Sequence, residues 1–419
     1  MSASDGQHVV AAYRIETPLD PRVAAEAMAG EQSCGTFVAV PGETAELKAR
    51  HRAEVIDVTP EPSADAPSLP GAKASAGPHH RATVRIAYPI DNFGVNLPTL
   101  VTTLLGNLFE LNQFSGLKLL DVELPADYAG RFALPRFGIA GTRRLAGVEH
   151  GPIVGTIIKP SVGLDAHATA ALVRELAEAG IDFVKDDELQ ANAPHCPFEQ
   201  RARAVLAAVN DVADRTGKQV MVALNLSDSL DAMLRHAELV RELGGTCVMV
   251  SLHSVGFAAV EHLRKHAALP IHGHRNGWGM FSRHPLLGVA YPAWQKLWRL
   301  AGVDHLHVNG LDSKFTEDND SVVASINACL TPLARDDDRA MPVVSSGQWG
   351  GQAPETYRRT RTTDLMYLAG GGIMAHPHGP AGGVHAIRAC WQAAVDNVDL
   401  DTRARDDADL AATLSTFRQ

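Results

Sequence analysis

Gly180-Ile-Asp-Phe-Val-Lys185-Asp-Asp187-Glu188 is the stretch whose reading decides the fold. Its apolar run from Ile181 to Val184 reads as a buried strand, and a lysine and three acids follow without a break. Period-2 geometry puts Lys185 and Asp187 on one side, with Glu188 at the turn. Such a charge run usually marks a solvated face. The surrounding pattern argues otherwise, because this is one of eight strand ends expected to converge on one mouth.

From Gly151 onward, short apolar runs alternate with amphipathic helical stretches. The strand candidates are 154–159, 182–185, 220–225, 247–252, 271–274, 305–308, 343–345 and 365–369, with helix-like segments at 166–179, 198–216, 230–243, 291–301 and 382–395 among those that separate them. Eight β-α repeats over about 250 residues match a TIM (β/α)8 barrel, whose active site lies at the C-terminal ends of the strands. Polar residues fall there: Lys159, the Lys185 cluster, Asn225, His253, His274 with Arg275, His307 with Asn309, Ser345 with Ser346, and Gly370 with Gly371.

Upstream, residues 8–16 read as a strand and 21–30 as a helix opened by a proline in its first turn. Strand-like runs follow at 37–40, 54–58 and 82–90, then a helical 97–109 and a last strand at 117–124. The order β-α-β-β-α-β is the ferredoxin-like split unit. Between its middle strands, residues 60–78 are rich in Pro, Ala, Gly and Ser and read as a mobile loop. The expected fold class is therefore α/β, a C-terminal TIM barrel over 141–419 preceded by an N-terminal ferredoxin-like α+β domain over 1–140.

Composition narrows the function. A net charge of -10 argues against a nucleic-acid surface, which needs an excess of Lys and Arg, and favours small-molecule chemistry. Five widely spaced cysteines with no CxxC pair suggest neither a disulfide framework nor a zinc ribbon. No apolar run reaches about 18 residues and the N-terminus lacks the basic-then-apolar form of a signal peptide, so a cytoplasmic protein without membrane contact is expected.

Asp187 and Glu188 are hard oxygen ligands of the kind Mg2+ takes, but two side chains leave an octahedral ion short of donors. Lys185 as an ammonium cannot help. Had it added CO2 to become a carbamate, it would be a third carboxylate; the competing reading is a plain Lys185–Asp187 ion pair. Gly370-Gly-Gly372, Ser345-Ser-Gly347 and Gly350-Gly351 are small-residue turns where backbone N–H groups can meet an anion, at the two loops where barrels often bind phosphate; tight-turn geometry alone is the alternative. Arg275 could hold a second anionic group as a fork. His272-Gly-His274 and His305-Leu-His307 each set two histidines on one strand face, as hydrogen-bonded core or as ligands. Two HxH pairs with a carbamate-forming lysine also resemble the amidohydrolases, although there the HxH precedes the lysine.

Taken together, these residues resemble the large chain of RuBisCO, the ribulose bisphosphate carboxylase. Gly155-Thr-Ile-Ile-Lys-Pro160 is similar to its first barrel strand, Asp182-Phe-Val-Lys-Asp-Asp-Glu188 to its carbamate and Mg2+ segment, and His272-Gly-His-Arg275 to its fifth strand. Asp304-His-Leu-His307, Pro342-Val-Val-Ser-Ser-Gly347, Gly370-Gly-Gly-Ile-Met-Ala-His-Pro377, Glu31-Gln-Ser-Cys-Gly-Thr-Phe37 and Gly106-Asn107 extend the likeness over nearly the whole chain. The resemblance implies that carbamylated Lys185, Asp187 and Glu188 hold one Mg2+, with CO2 consumed to form the carbamate. It implies that Arg275, His307 and Ser345 bind one phosphate-side group and Gly347, Gly370, Gly371 and Thr36 the other, with Lys159, Lys185, His274, Lys314 and Asn107 as catalytic candidates. In that family Glu31, Thr36 and Asn107 reach the barrel mouth of a second subunit, so a homodimer with shared sites is implied.

The departures redirect the function. Where the carboxylases have a second lysine, in a KPK run, this chain has Lys159-Pro-Ser161; where they have a histidine soon after the HxHR segment it has Trp278, and Phe37 and Ser346 replace a tryptophan and a glycine. Losing a cation and an imidazole points away from CO2 fixation and toward a RuBisCO-like protein (form IV). Such proteins include methionine-salvage enolases and isomerases, and decarboxylases or transcarboxylase-hydrolases of 3-oxoisoapionate 4-phosphate. The salvage enolases carry a lysine base where Asn107 stands here. Lys314, in the loop where the carboxylases keep a lysine that meets a carboxylate, suits a substrate that bears one. The expected function is Mg2+-dependent enolate formation by C–C cleavage of a phosphorylated sugar acid, with Lys159 protonating the product carbon. The alternatives are a methylthio-sugar phosphate isomerase or enolase, and a sugar-phosphate-binding protein that has lost catalysis.

Overall fold

The computed structural model describes residues 6–35, 40–72 and 77–418, in two compact units. The first comprises Met1–Leu134 with Gly277–Ala301 and Leu333–Asp336; the second comprises Pro135–Asn276, Gly302–Pro332 and Asp337–Gln419.

In the first unit, β1 (His8–Thr17), β2 (Glu54–Ala64), β3 (His79–Pro89) and β4 (Gly116–Glu123) form an antiparallel sheet in the order β4-β1-β3-β2, with helices Pro21–Glu31 and Leu97–Leu104 as its crossovers. Asp20 caps the first helix by accepting from the N–H groups of Arg22 and Val23, and Pro21 fills its first position. The ferredoxin-like order is thus present.

Four details differ from the sequence reading. The strand β2 runs through Pro60 and Pro62 to Ala64, which shortens the expected loop; β2 is the sheet's edge, where a missing N–H costs no ladder bond. The next residues are tied down as well, since the Ser68 N–H and hydroxyl donate to Glu16 at 2.8 and 2.7 Å. The helix expected to reach Phe109 stops at Leu104, because Gly106 takes φ +35° and a short 3-10 turn, Leu108–Glu110, follows. A further short strand far along the chain, β10 (Leu287–Val289), adds parallel to β4. Of the expected strand at 37–40, all but Val40 lies outside the described residues.

The second unit is a closed parallel barrel. Its strands are β5 (Ile153–Ile157), β6 (Phe183–Lys185), β7 (Met221–Asn225), β8 (Cys247–Ser251), β9 (Ile271–His274), β11 (His305–His307), β12 (Met341–Val344) and β13 (Met366–Leu368), in that order around the ring, with β13 pairing back to β5. All eight expected strands are present: β9 has the expected bounds, and the others differ by one or two residues at one or both ends, β5 and β12 starting earlier than expected. A layer of Ile153, Phe183, Met221, Met249, Met341 and Met366 fills the interior, and Ile139 and Ala146 of helix Gly138–Ala146 pack against it. Unbranched methionine side chains suit the irregular gaps of such a centre. Gly155 belongs to the same design, because a Cβ there would lie 2.8 Å from the Phe183 carbonyl oxygen of the adjacent strand.

Candidate active site at the C-terminal end of the barrel

The pleat of β6 sorts its charged end. Asp186 turns out of the barrel into a buried pocket, where Arg201 of helix Phe198–Thr216 reaches it through Nε at 3.2 Å and Nη2 at 3.1 Å. The Asn225 N–H donates to the same oxygen at 2.8 Å. Burial pushes the Asp186 carboxyl up from the usual range, and Arg201 and the Asn225 N–H oppose the push. Lys185 and Asp187 therefore share the other side, as the alternation requires.

Lys185 is fully buried. Its Nζ donates to the Asp186 carbonyl at 2.7 Å and lies 3.7 Å from a Glu188 oxygen. Burial pushes its pKa below the ordinary lysine value against the pull of Glu188, Asp187 and Asp186. The Lys185–Asp187 ion pair weighed from the sequence is absent. Asp187 is taken instead by Lys159, whose Nζ donates to its Oδ2 at 2.5 Å and to the Ser161 hydroxyl at 2.9 Å. Burial raises the Asp187 carboxyl, but the Lys159 hydrogen bond, the Leu189 N–H and both lysine charges outweigh it and hold the group below its usual range. Ser161, standing where the carboxylases have lysine, thus positions Lys159.

Asn225 supports the turn by donating to the carbonyls of Asp187 and Glu188 at 3.4 and 3.2 Å. His274 Nε2 lies 3.5 Å from Glu188 Oε2. Burial, then the Lys185 charge, push the His274 imidazole down to about 4 despite Glu188, so the ring is neutral at physiological pH. His253 is drawn aside to the Asn276 carbonyl at 2.9 Å.

The other mouth residues are placed more unevenly. The Arg275 guanidinium faces Glu317, which also accepts from Asn309 Nδ2 at 2.7 Å and from the Ser321 hydroxyl at 2.7 Å. A second anion would have to compete with that carboxylate. Both ring nitrogens of His307 have partners, Ser345 Oγ at 3.0 Å and His272 at 2.8 Å. His272 and His305 are likewise bonded through both nitrogens, so three of the four HxH histidines form hydrogen-bonded core, with His274 alone beside Glu188, and the pairs are not the ligand set of an amidohydrolase. Ser346 and Gly347 both take positive φ, at 78° and 81°, in a turn that lies against the Lys314 backbone, and the Lys314 N–H reaches the Ser346 carbonyl at 3.4 Å. The Lys314 ammonium itself sits over the Phe315 ring, 5.4 Å from its centre.

Gly370 and Gly371 have open space where a side chain would stand, which suits backbone approach by an anion. The neighbouring Gly350 and Gly351 do not: a Cβ there would meet Cys390 and Trp349, so these two are packing glycines. In the first unit, Glu31 ends helix Pro21–Glu31 and Asn107 precedes the 3-10 turn, both exposed. Trp278, in the same unit, is buried among Tyr291, Trp294 and Phe281. Thr36 and Phe37 lie outside the described residues. Arg201 and Glu317 were missed from the sequence; nothing local marks either, because each acts through a partner 15 or 42 residues away.

The donor set fits a hard divalent cation. Two carboxylates stand beside a buried amine whose charge burial disfavours, which is the condition for carbamate formation and hence a third anionic oxygen donor. Among the described residues one other group, His376, His378 and Asp409, brings three possible ligands together, but His376 already accepts from the His378 N–H and bonds the Asp409 carbonyl.

Comparison with known proteins identifies the family. The family model "Ribulose bisphosphate carboxylase large chain, catalytic domain" matches residues 138–417 and "Ribulose bisphosphate carboxylase large chain, N-terminal domain" matches 2–128. A 3-oxo-isoapionate-4-phosphate transcarboxylase/hydrolase of Xanthobacter autotrophicus is 54% identical over 98% of this chain and 100% of its own. A 3-oxo-isoapionate-4-phosphate decarboxylase of Rhizobium rhizogenes is 44% identical over 97% of each. The crystal structure of a rubisco-like protein from Burkholderia fungorum superposes with a TM-score of 0.93 at 48% identity, covering 98% of this chain and 100% of that one. The chain belongs to the RuBisCO large-chain family, as one of its RuBisCO-like proteins.

Proposed function

We propose that this protein is a Mg2+-dependent enzyme that cleaves a C–C bond of 3-oxo-isoapionate 4-phosphate to form an enolate, by decarboxylation or by transcarboxylation and hydrolysis. The observation that carries the reading is the meeting of Lys185, Glu188, Asp187 and Lys159 at the ends of two neighbouring strands, β5 and β6. Two relatives matched over 97% or more of this chain bear the name of that substrate, which supports the choice.

Carbamylated Lys185, Asp187 and Glu188 would hold the ion, which when bound supplies Lewis-acid stabilisation of the oxyanion that develops on the 3-oxo group. The chain's own residues do the rest. Lys159, held between Asp187 and Ser161, carries the proton delivered to the carbon whose bond has broken. Neutral His274 is placed beside Glu188 to accept or donate a hydrogen bond without adding charge. Arg275 and the open Gly370-Gly371 turn take the phosphate and the polar end of the acid, and Lys314, once turned off Phe315, holds the carboxylate. Glu31, Thr36 and Asn107 would complete the site from a second subunit of a homodimer, in the cytoplasm.

Incubation of purified protein with Mg2+, bicarbonate and either 3-oxo-isoapionate 4-phosphate or methylthio-sugar phosphates tests the reading. Turnover of the former and not the latter is expected. Turnover confined to the methylthio compounds would make the protein an isomerase or enolase.

A further inference from the structure

Residues beyond the ends of β9, β11 and β12 converge on one carboxylate, that of Glu317. One of its oxygens accepts from the Arg275 guanidinium and from Asn309 Nδ2 at 2.7 Å, and the other accepts from the Ser321 hydroxyl at 2.7 Å. The Glu317 side chain is 15% exposed and that of Arg275 7%. The next residue, Asp318, caps helix Asn319–Leu330 by accepting from the Ser321 N–H at 2.7 Å, which fixes the Glu317 backbone at the helix start. The Asn309 amide is fixed in turn. Ser346 Oγ donates to its Oδ1 at 3.0 Å, which leaves Nδ2 to face Glu317; a reversed amide would set oxygen against carboxylate. Both residues hold positive φ, +62° at Asn309 and +78° at Ser346, a region that asparagine tolerates and serine adopts less readily. A glycine at 346 would sit there without strain but would bring no hydroxyl to Asn309.

Arg275 and Glu317 together carry no net charge, and His307, within reach of the Arg275 charge, is kept neutral chiefly by burial. A phosphate arriving here would meet a guanidinium already compensated by a carboxylate that two further donors hold in place. Sharing Arg275 would set two anions close together in a mostly buried place, where their repulsion is poorly screened. Expelling Glu317 would break its charge-assisted bonds. A hydroxyl avoids both penalties, because it can donate to the carboxylate or accept from a guanidinium N–H without adding charge. A phosphate is left to the open backbone of Gly370-Gly371.

We propose that Glu317 determines specificity: it fills the anion place at Arg275 from within the chain, so that this end of the barrel mouth takes an uncharged, hydroxyl-bearing group and the protein accepts sugar monophosphates and rejects bisphosphates. Asn309 and Ser346 are positioning residues for that carboxylate. The inference deepens the proposed function and rests on it for the identity of the substrate, whose single phosphate then belongs to Gly370-Gly371 and whose hydroxylated end belongs to Arg275 and Glu317. The filling of the Arg275 place does not depend on that reading.

Crystals soaked in concentrated inorganic phosphate test the proposal without a substrate. Wild-type protein should hold no phosphate on Arg275, and Glu317→Gln, which keeps the shape and removes the charge, should hold one. Phosphate on Arg275 in the wild type, or none there in a folded Glu317→Gln protein, would overturn the proposal. Calorimetric titrations with ribulose 5-phosphate and ribulose 1,5-bisphosphate, in Mg2+ and bicarbonate, read the same property in solution. The wild type should bind the bisphosphate no more tightly than the monophosphate. Glu317→Gln should shift the ratio of the two affinities toward the bisphosphate by about tenfold or more, the gain of one charge-assisted hydrogen bond, and adding Arg275→Met should cancel the shift. Ser346→Gly, which releases Asn309, should move the ratio the same way by less. A ratio unchanged in a Glu317→Gln protein of lowered thermal stability would show a merely structural role. A wild type that prefers the bisphosphate about tenfold would overturn the proposal even if Glu317→Gln did not fold. No turnover of the acid phosphate by a wild type that behaves as expected in these experiments would defeat the substrate assignment and leave the role of Glu317 standing.

Discussion

Replacing Arg201 by methionine keeps the apolar stem and removes a guanidinium that is 0% exposed. Four strong contacts go with it: Nε and Nη2 to Asp186 Oδ2 at 3.2 and 3.1 Å, Nη1 to the Cys196 carbonyl at 3.0 Å and Nη2 to the Ala191 carbonyl at 2.6 Å. Asp186 is left as a buried carboxylate with one backbone N–H. Breaking one half of a buried pair costs about 3–5 kcal/mol. At roughly 2–4 °C per kcal/mol for a unit of this size, the barrel transition should drop by roughly 6–20 °C in calorimetry. The sign with pH is also set. Asp186 already has a raised folded pKa, and losing Arg201 raises it further. A raised carboxylate contributes stability below its unfolded pKa and loses it as pH rises through the folded one. The deficit of Arg201→Met should therefore be largest at neutral and alkaline pH and shrink on acidification. Because Lys185 bonds the Asp186 carbonyl, Mg2+ affinity should fall in parallel. A drop under about 2 °C, or one that does not vary with pH, would refute the assignment of Asp186 as structural.

Three other outcomes are expected. Burial holds the Lys185 amine below the ordinary lysine pKa, so CO2 activation should accelerate as pH rises from neutral and level off earlier than for a free lysine; 13C NMR of the labelled carbamate follows it, and no carbamate signal with wild-type protein would count against it. Mixing Asn107→Ala and Lys185→Ala proteins should restore partial activity through heterodimers, and no recovery after proven subunit exchange would contradict shared sites. Lys314→Met should lower kcat/KM on the acid phosphate about ten- to a hundredfold, the loss of a charge-assisted bond to the carboxylate, with little effect on stability because its ammonium is exposed.

What was legible in the sequence followed from periodicity. The eight barrel strands were found because each is a short apolar run closed by a polar residue or, for the last, by glycines, and β6 gave the inward side of Lys185 and Asp187 by alternation alone. The misses have physical causes. A strand through Pro60 and Pro62 is allowed only at a sheet edge, and edge position is a tertiary fact. The partners of the charged end were equally hidden: Asp187 pairs with Lys159 of a neighbouring strand loop and Asp186 with Arg201 of a helix, while the sequence offered only the adjacent Lys185. The histidines were visible as two HxH pairs, but not their partners, of which Thr142 lies more than 100 residues from His305.

The most direct test of the central claim is turnover of 3-oxo-isoapionate 4-phosphate in D2O, with Mg2+ and bicarbonate, followed by mass spectrometry and NMR of the product. An enolate protonated at the cleaved carbon predicts one deuterium per turnover at that carbon, with consumption abolished by chelation, by CO2-free buffer and by Lys185→Ala. Consumption that persists through all three, or product without deuterium at that carbon, would contradict the account.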